Sequence, residues 1–582
     1  MGFERRLFPF LNWIGKLRDP KVLRADVLAG VTVALVLVPQ SMAYAQLAGL
    51  PPYIGLYAAF LPGIVAALFG SSRQLATGPV AVVSLMTASA LGPMAGANPE
   101  AYLAYAVVLA VLVGLFQLTL GLLRLGLLVD FLSHPVVIGF INAAAIIIGT
   151  SQLGKFFGVS VENAEHTYET VWNILVAAST DTHMLTLGMG ILALVIILLL
   201  KRYAPKAPAV LTAVVITTLL AWWGGYEQAG GKIVGAIPPG LPGLRLPVFN
   251  ITVMLELMSV AVAISLIGFM EAISIAKAMA VQTRQRLDAN QELIGQGLGN
   301  LFSGLFQGYA VSGSFSRSAV NIDAGAVTGF SAVVTGLVVG ATLLWLTPLL
   351  YHLPQAALAA VIITAVTNLV KIEPIKAAWR VQPHEGMVAI ATFVLTLLWA
   401  PHLDRGIIVG VVLSLGLYLY RTMRPRIAEL SRDPDGTLRD SKIRNLETCK
   451  NVALVRFDGS LYFGSSGYFE NKLLSIIARK PDLKYVIVDA EGINQIDATG
   501  EQMLRVLSDR LKGLGIQLVF ARAKKQLMDI FERTGFMDRL GKEHFFRLRT
   551  HAFNYVWDEL GDKHAETCPL RVASPIKKPT AT

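Results

Sequence analysis

Two short stretches hold most of the polar chemistry of an otherwise apolar chain. "VSGSFSRSAVNIDAG", Val311 to Gly325, carries four serines and Arg317 between hydrophobic segments. It is too polar to cross a bilayer as an ordinary helix. "ATGPVAVVSLM" begins at Ala76, and its Thr77-Gly78-Pro79-Val80-Ala81 aligns with Ser312-Gly313-Ser314-Phe315-Ser316. Each reads small hydroxyl, glycine, then a residue suited to starting a helix: proline in the first turn, serine at a cap. A helix that starts within a membrane offers unpaired N–H groups and about half a positive charge at its first turn. Two such starts facing one another make an anion site without a formal charge. Ser314 and Ser316 add hydroxyl donors, and Arg317 adds a full charge. A dehydrated dianion gripped by a fixed cation would leave slowly. Arg317 is therefore expected to tune the field or to pair with a carboxylate, as an alternative to gripping the substrate.

Gln40 and Tyr44, in "LVLVPQSMAYAQLAGLPP", stand four apart and so share one helix face. An amide and a phenol can both donate to an anion. Hydrogen bonding between helices explains the pair equally well. Pro39, which lacks a backbone donor, is expected to break that helix. Glu271, in "ISLIGFMEAISIAKAMA", is an intramembrane carboxylate. It is a candidate proton carrier or partner of Arg317, the alternative being a solvated residue at the membrane edge. The sequence has no P-loop, HExxH, cysteine-rich metal pattern or G-x-S-x-G element. No ATP-driven pump, enzyme activity, catalytic residue, cofactor or metal site is expected.

The elements that must position these residues follow from hydropathy. The 582 residues are 54% hydrophobic and 15% charged, against about 25% charged in soluble proteins. Long apolar runs fill residues 26 to 420, and the remainder reads as soluble protein. Fourteen candidate spans result: 27–46, 53–70, 79–94, 101–123, 128–150, 183–201, 207–224, 251–272, 291–307, 315–324, 328–348, 355–370, 384–400 and 406–420. Basic residues crowd before the first span, at Lys201-Arg202, from Lys277 to Arg286, from Lys371 to Arg380 and from Arg421 to Arg426. With fourteen spans and a cytosolic N-terminus, all of these fall on the cytosolic side. The net charge of +11 thus reflects membrane orientation and implies no nucleic acid. Seven spans per half give the halves opposite orientations. Interrupted helices at matching third positions of inverted repeats mark a transporter site at mid-membrane.

The expected organisation is a cytosolic amphipathic segment (1–25), a transmembrane transport domain (26–426), a linker (427–450), a small α/β domain (451–562) and a flexible tail (563–582). The basic N-terminus reads as an interfacial helix and not as a cleavable signal peptide. "TYETVWNILVAA" reads as an amphipathic surface helix in an outer loop. In the soluble part, "NVALVRFDGSLYFGS", "KYVIVDAEGINQIDATG" and "IQLVFARA" read as buried strands, with helices at 465–479, 499–513 and 524–534. Thr499, within "DATG", lies where a helix begins. A phosphate is tolerated there, and a helix-capping role is the alternative. Cys449 and Cys568 alone imply no disulfide framework.

"VPQSMAYAQLAGLPPYIGLYAAFLP", "RLDANQELIGQGLGNLFSG" and "GSFSRSAVN" resemble the SulP (solute carrier 26) family of anion transporters, and the "DATG" tail resembles its STAS domain. The likeness runs over nearly the whole chain. It implies an all-α polytopic domain of fourteen spans in a 7+7 inverted repeat. Spans 1–4 and 8–11 would form a core and 5–7 and 12–14 a scaffold, ahead of the cytosolic STAS domain. It implies an anion site between half-helices 3 and 10, elevator-type alternating access, and a homodimer. The family's site positions fall on Gln40, Tyr44, Pro79, Val80, Ala81, Ser316, Arg317 and Glu271; Ser314 and Phe315 complete the start of the tenth span. Thr499 occupies the phosphorylatable position of the related antagonists. Sodium-coupled bicarbonate members carry Asp, then Thr four residues on; here Glu271 and Ile275 stand there. "VPQSMAYA" with "GFMEAISIAKA" is most similar to sulfate permeases, including the proton-coupled plant type. The reading is a sulfate:proton symporter in the cytoplasmic (inner) membrane of a cell, multi-pass, both termini cytosolic, with the lipid bilayer as its surroundings. An anion exchanger, or a bicarbonate, chloride or dicarboxylate transporter, is the alternative, and an anion channel a third reading.

Overall fold

The structure, a computed structural model, describes residues 8–95, 98–127, 132–161, 164, 166–204, 207–247, 250–561 and 567–571. Residues 1–7 of the expected N-terminal segment, 128–131 of the fifth expected span, and 563–566 and 572–582 of the expected tail lie outside these. The chain divides into two compact units, Met1–Ser414 and Leu415–Thr582.

The first unit is helical. Its main helices are α1 Pro20–Leu47, α2 Pro52–Phe69, α3 Ala81–Ala95, α4 Pro99–Leu122, α5 His134–Ser151, α6 Leu153–Phe157, α7 Thr167–Asp181, α8 Met184–Tyr203, α9 Ala209–Trp223, α10 Ile251–Thr283, α11 Ala289–Leu305, α12 Phe315–Asp323, α13 Phe330–Ala341, α14 Gln355–Val366, α15 Glu373–Val381, α16 Pro383–Leu398 and α17 Leu403–Met423. Among the described residues eight helical segments are long and apolar enough to cross a membrane, and four more are apolar but shorter. The outer helices display large apolar side chains, Leu198 on α8 at 53% and Val412 on α17 at 63% exposure. That surface is stable against lipid and not against water.

Local signals set the helix ends. The Asp19 side chain accepts from Lys21 N and Pro20 takes the first turn, so α1 starts seven residues before the expected span at 27. Asn98 caps α4 and Asp288 caps α11 in the same way. Two expectations fail here. α1 runs unbroken through Pro39, because neighbouring helices hold the surrounding backbone and one missing donor is tolerated in a packed bundle. The described residues ahead of α1 form not a surface helix but two 3-10 turns, Pro9–Asn12 and Ile14–Arg18. Trp13 at 5% exposure anchors them against the bundle. Small residues then let backbones approach. A Cβ on Gly114 of α4 would lie 2.6 Å from Leu301 N, and one on Gly297 of α11 would lie 2.6 Å from Leu118 N.

At the centre of this unit lies a short ladder. Strand β1 Ala76–Gly78 pairs antiparallel with β2 Ser312–Ser314, with Thr77 opposite Gly313. Each strand runs into a helix, β1 towards α3 and β2 directly into α12. Antiparallel pairing sends those helices in opposite directions. Non-helical backbone at this depth requires internal partners, and the ladder supplies them.

The second unit is a mixed sheet with helices on both faces. Its strands are β3 Arg426–Arg432, β4 Leu438–Asp440, β5 Val452–Leu461, β6 Tyr485–Asp489, β7 Ile493–Ile496, β8 Gln517–Ala521 and β9 Phe545–Phe546, in the order β4-β3-β5-β6-β8-β9, with β7 beside β5. Its helices include α18 Ser441–Arg444, α19 Ser466–Ile477, α20 Ala498–Gly513, α21 Lys525–Arg533, α22 Phe536–Leu540 and α23 Arg549–Leu560. Alternation along β6 sends Val486 and Val488 to one core and Tyr485 and Ile487 to the other. Residues 427–450 are not a linker: β3 and β4 extend the sheet there. Their charges hid the strand, since Glu429 faces an ion pair with Lys480 while Ala428 and Leu430 face the core. Part of the expected flexible tail is also packed, with Cys568 and Leu570 buried and Arg432 donating to Leu570 O.

Candidate anion site

The ladder and the two helix starts beside it form the site. α12 starts at Phe315 and α3 at Ala81, each just beyond the end of its strand, and a three-residue strand spans only roughly 7 Å between its end residues. Val80 O accepts the first α3 bond from Ser84 N at 3.0 Å, which leaves Pro79 just ahead of the helix. Ser314 holds the cap position of α12 without a side-chain capping bond. Its Oγ instead lies 3.4 Å from Ser316 Oγ. Val80, Ala81, Gln40, Tyr44 and Ser314 are all buried. Phe315 at 60% and Ser316 are exposed, on the open side of the helix start.

Arg317 is the buried charge of the site, 1% exposed, and none of its three guanidinium nitrogens has a hydrogen-bond partner among the described residues. It reaches across to the opposite strand. A Cβ built on Gly78 would meet Arg317 Nη2 at 3.4 Å and Leu37 at 3.6 Å. The guanidinium therefore lies at the end of β1, beside the approach to α3. Tyr44, Tyr309 and Glu271 are near enough to act on it electrostatically. Of the alternatives for Glu271, the hydrogen-bonded pair with Arg317 is not formed here: among the described residues the guanidinium has no hydrogen-bond partner, and Glu271 Oε2, on α10, is also buried without one. Gln40 Oε1 is a further buried acceptor without a partner.

A polar frame that sequence reasoning passed over holds this arrangement. Asn300 Oδ1 accepts from Val311 N at 2.7 Å, while its Nδ2 donates to Val311 O at 3.0 Å and to Gln117 Oε1 at 3.0 Å. Gln296 Nε2 donates to Thr77 Oγ1 at 2.8 Å. Ser318 Oγ accepts from Ala76 N, Asn321 Nδ2 donates to Gln74 O, and Ser312 Oγ donates to Gly268 O. Tyr309 and Ser84 share a hydroxyl bond of 2.8 Å. The signal was present as the amides of "ANQELIGQGLGN", spaced four apart on one face of α11. Two buried carboxylates secure the flanking loops: Glu292 accepts from Ser71 N and Ser72 N, and Asp26 from Val327 N and Thr328 N.

Unpaired helix-start amides, hydroxyls and a guanidinium with no acid on it form a donor set for an oxyanion. In the second unit, Thr499 is exposed in the first turn of α20. The cap there is Asp497, whose side chain accepts from Gly500 N at 2.8 Å, so capping is not the task of Thr499.

Fold and site together define a multi-pass membrane transporter for anions, not an enzyme, with an α/β domain attached. The family model described as "Sulfate permease family" matches residues 23–392, and that of the STAS domain matches 444–550. The chain belongs to the sulfate permease family, SulP, which includes the solute carrier 26 proteins. It is 36% identical to sulfate transporter 4.1, chloroplastic, of Arabidopsis thaliana, over 96% of this chain and 84% of that one. It is 34% identical to a probable sulfate transporter of Mycobacterium tuberculosis, over 90% of this chain and 93% of that one. Murine solute carrier 26 family member A9, in its inward-facing state, shares the fold at TM-score 0.89 and 23% identity, covering 95% of this chain and 94% of that one. The transmembrane domain of a cyanobacterial bicarbonate transporter, BicA, matches at TM-score 0.57 and 26% identity, over 68% of this chain and 97% of that one.

Proposed function

We propose that the chain is a sulfate:proton symporter that binds sulfate between the starts of α3 and α12 and carries the coupled proton on Glu271. The observation that supports the anion site most strongly is Arg317, buried at 1% exposure with no hydrogen-bond partner for any guanidinium nitrogen among the described residues. A buried cation without a counter-charge is costly, and a bound dianion offsets that cost. The names of the relatives support sulfate. Gln40, Tyr44, Pro79, Val80, Ala81, Ser314, Phe315 and Ser316 line the approach to the anion.

Elevator-type motion is part of the proposal. α1–α4 and α10–α13 are joined by buried side-chain bonds, from Asp26 to Thr328, Glu292 to Ser72, Asn300 to Gln117 and Gln117 to Ser265. Moving one of these helices alone breaks such bonds at about 1–3 kcal/mol per orphaned group, which favours movement as a body. Fourteen spans, cytosolic termini, residence in the cytoplasmic membrane and a homodimer complete the proposal, with Thr499 as a regulatory phosphorylation site. The likeness to the bicarbonate transporter favours bicarbonate as the second reading. Uptake into proteoliposomes, with sulfate, bicarbonate, chloride and fumarate in competition at two pH values, tests the choice. Sulfate must compete best, and its uptake must rise with an inward proton gradient. Best competition by bicarbonate, or flux only against a trapped counter-anion, selects the alternatives.

A further inference from the structure

A cavity of about 740 Å³ opens in the first unit away from the ladder. It lies where α3 and α5 end and α8, α14 and α17 begin, bounded by Pro93, Ser151, Thr186, Gln355 and Leu403. Its innermost contact with α3 is Leu85, four residues beyond the helix start at Ala81, or roughly 6 Å along the axis. By the positive-inside rule this end lies opposite the basic loops.

Two lysines line it, Lys155 and Lys232. Lys155 Nζ donates to Gln46 O, in the last turn of α1, at 3.2 Å. Lys232 Nζ donates to Ser160 Oγ at 2.6 Å. Each ammonium therefore spends one of its three donors on the described residues. Both line the same cavity, and the charge of Lys232 acts on Lys155. Among the described residues no Asp or Glu lines the cavity and no ion pair forms to either lysine. Like charges brought together in a partly enclosed, low-dielectric space repel. A divalent anion between them removes that repulsion and satisfies the free donors. A low-dielectric cavity holding charge of one sign also gathers counter-ions from solution.

We infer that Lys155 and Lys232 form a second anion-binding site, for a divalent oxyanion of the sulfate class, which captures substrate on the far side of the membrane before it reaches the ladder. The ligand class rests on the proposed function. The site itself rests on the cavity and its two ammonium groups, which form no ion pair among the described residues. It is an outer station of the transport path, and its occupancy changes the affinity seen from that side without changing the chemistry at Arg317.

The test is the stoichiometry of sulfate binding to the purified full-length chain in lipid nanodiscs, by calorimetry. Wild type binds two sulfates per chain. Lys155→Gln with Lys232→Gln removes one, and Arg317→Ala removes the other. In the Arg317→Ala background, the lysine pair changed to glutamine weakens the remaining sulfate at least about tenfold. Lys155→Arg with Lys232→Arg retains it, which separates lost charge from a lost fold. One sulfate per chain in wild type, lost in Arg317→Ala, overturns the outer site and leaves the central one standing. One sulfate lost only with the lysines supports the outer site and overturns the central one. Unchanged binding in the glutamine pair overturns the inference.

Discussion

Arg317 of α12 packs against Gly78 of β1, with Nη2 at 3.4 Å from the point a Cβ on Gly78 would occupy. One half-helix thus supplies its charge to the mouth of the other. Glycine at 78 keeps that passage open. Alanine fits at ordinary contact distance, whereas a branched side chain pushes the guanidinium aside. Gly78→Ala is expected to transport nearly as wild type. Gly78→Val is expected to raise the KM for sulfate about tenfold or more, since a misplaced charge-assisted hydrogen bond costs about 1.5–3 kcal/mol. Saturation curves in proteoliposomes check both.

Glu271 and Arg317 stand near one another without an ion pair, each with orphaned polar atoms. Their tasks are therefore separable. Glu271→Gln is expected to abolish the rise of uptake with falling external pH and to leave equilibrium sulfate binding within about threefold of wild type. Arg317→Ala is expected to lose the binding. Uptake at two pH values and calorimetry on both variants decide it. A coupling energy well above about 1 kcal/mol in the double-mutant cycle would restore the pair as a single unit.

Asn300 satisfies both backbone groups of Val311 while accepting nothing from solvent. Asn300→Leu leaves those groups buried and unmet, at about 1–3 kcal/mol each. Thermal unfolding in detergent is expected several degrees lower. Gln296→Leu removes a donor from Thr77 Oγ1 and Glu292 Oε1 but leaves no backbone group unmet and deletes an acceptor already without a partner, and it is expected to fall less.

Cys449 and Cys568 are buried in the same core of the α/β domain. The Cys568 thiol donates to Cys449 and holds its pKa at about 6, from an ordinary value of 9.0. Cys568 is pushed up by the same bond. The depressed Cys449 pKa contributes stability that is fully present above about pH 9 and is lost as pH falls through about 6. Ultraviolet thiolate absorbance is expected to titrate near pH 6 in wild type and markedly higher in Cys568→Ser. The same variant is expected to loosen residues 567–571, seen as faster proteolysis of the C-terminus.

Much of this was legible in the sequence because it rests on local rules. The helix starts at 79–81 and 314–316 follow from hydroxyl, glycine and proline placement, and the strands of the α/β domain from short runs of branched residues. What escaped depends on partners distant in the chain. Pro39 reads as a breaker, but the packed bundle keeps α1 continuous. Ile427 to Arg432 reads as linker because its charges alternate with the few apolar residues that meet the core. The amides of α11 could not be assigned to Thr77 and Val311 before the fold brought them together. The spacing of Arg317 from Glu271 is likewise a tertiary fact.

The central claim is that sulfate is held at the paired helix starts with the charge of Arg317. Uptake of radiolabelled sulfate into proteoliposomes under an inward proton gradient, comparing wild type with Arg317→Ala and Arg317→Lys, tests it most directly. The account predicts saturable uptake in wild type, a loss of at least about tenfold in Arg317→Ala, and partial retention in Arg317→Lys, which keeps charge but not the planar fork. Equal uptake by wild type and Arg317→Ala would contradict it.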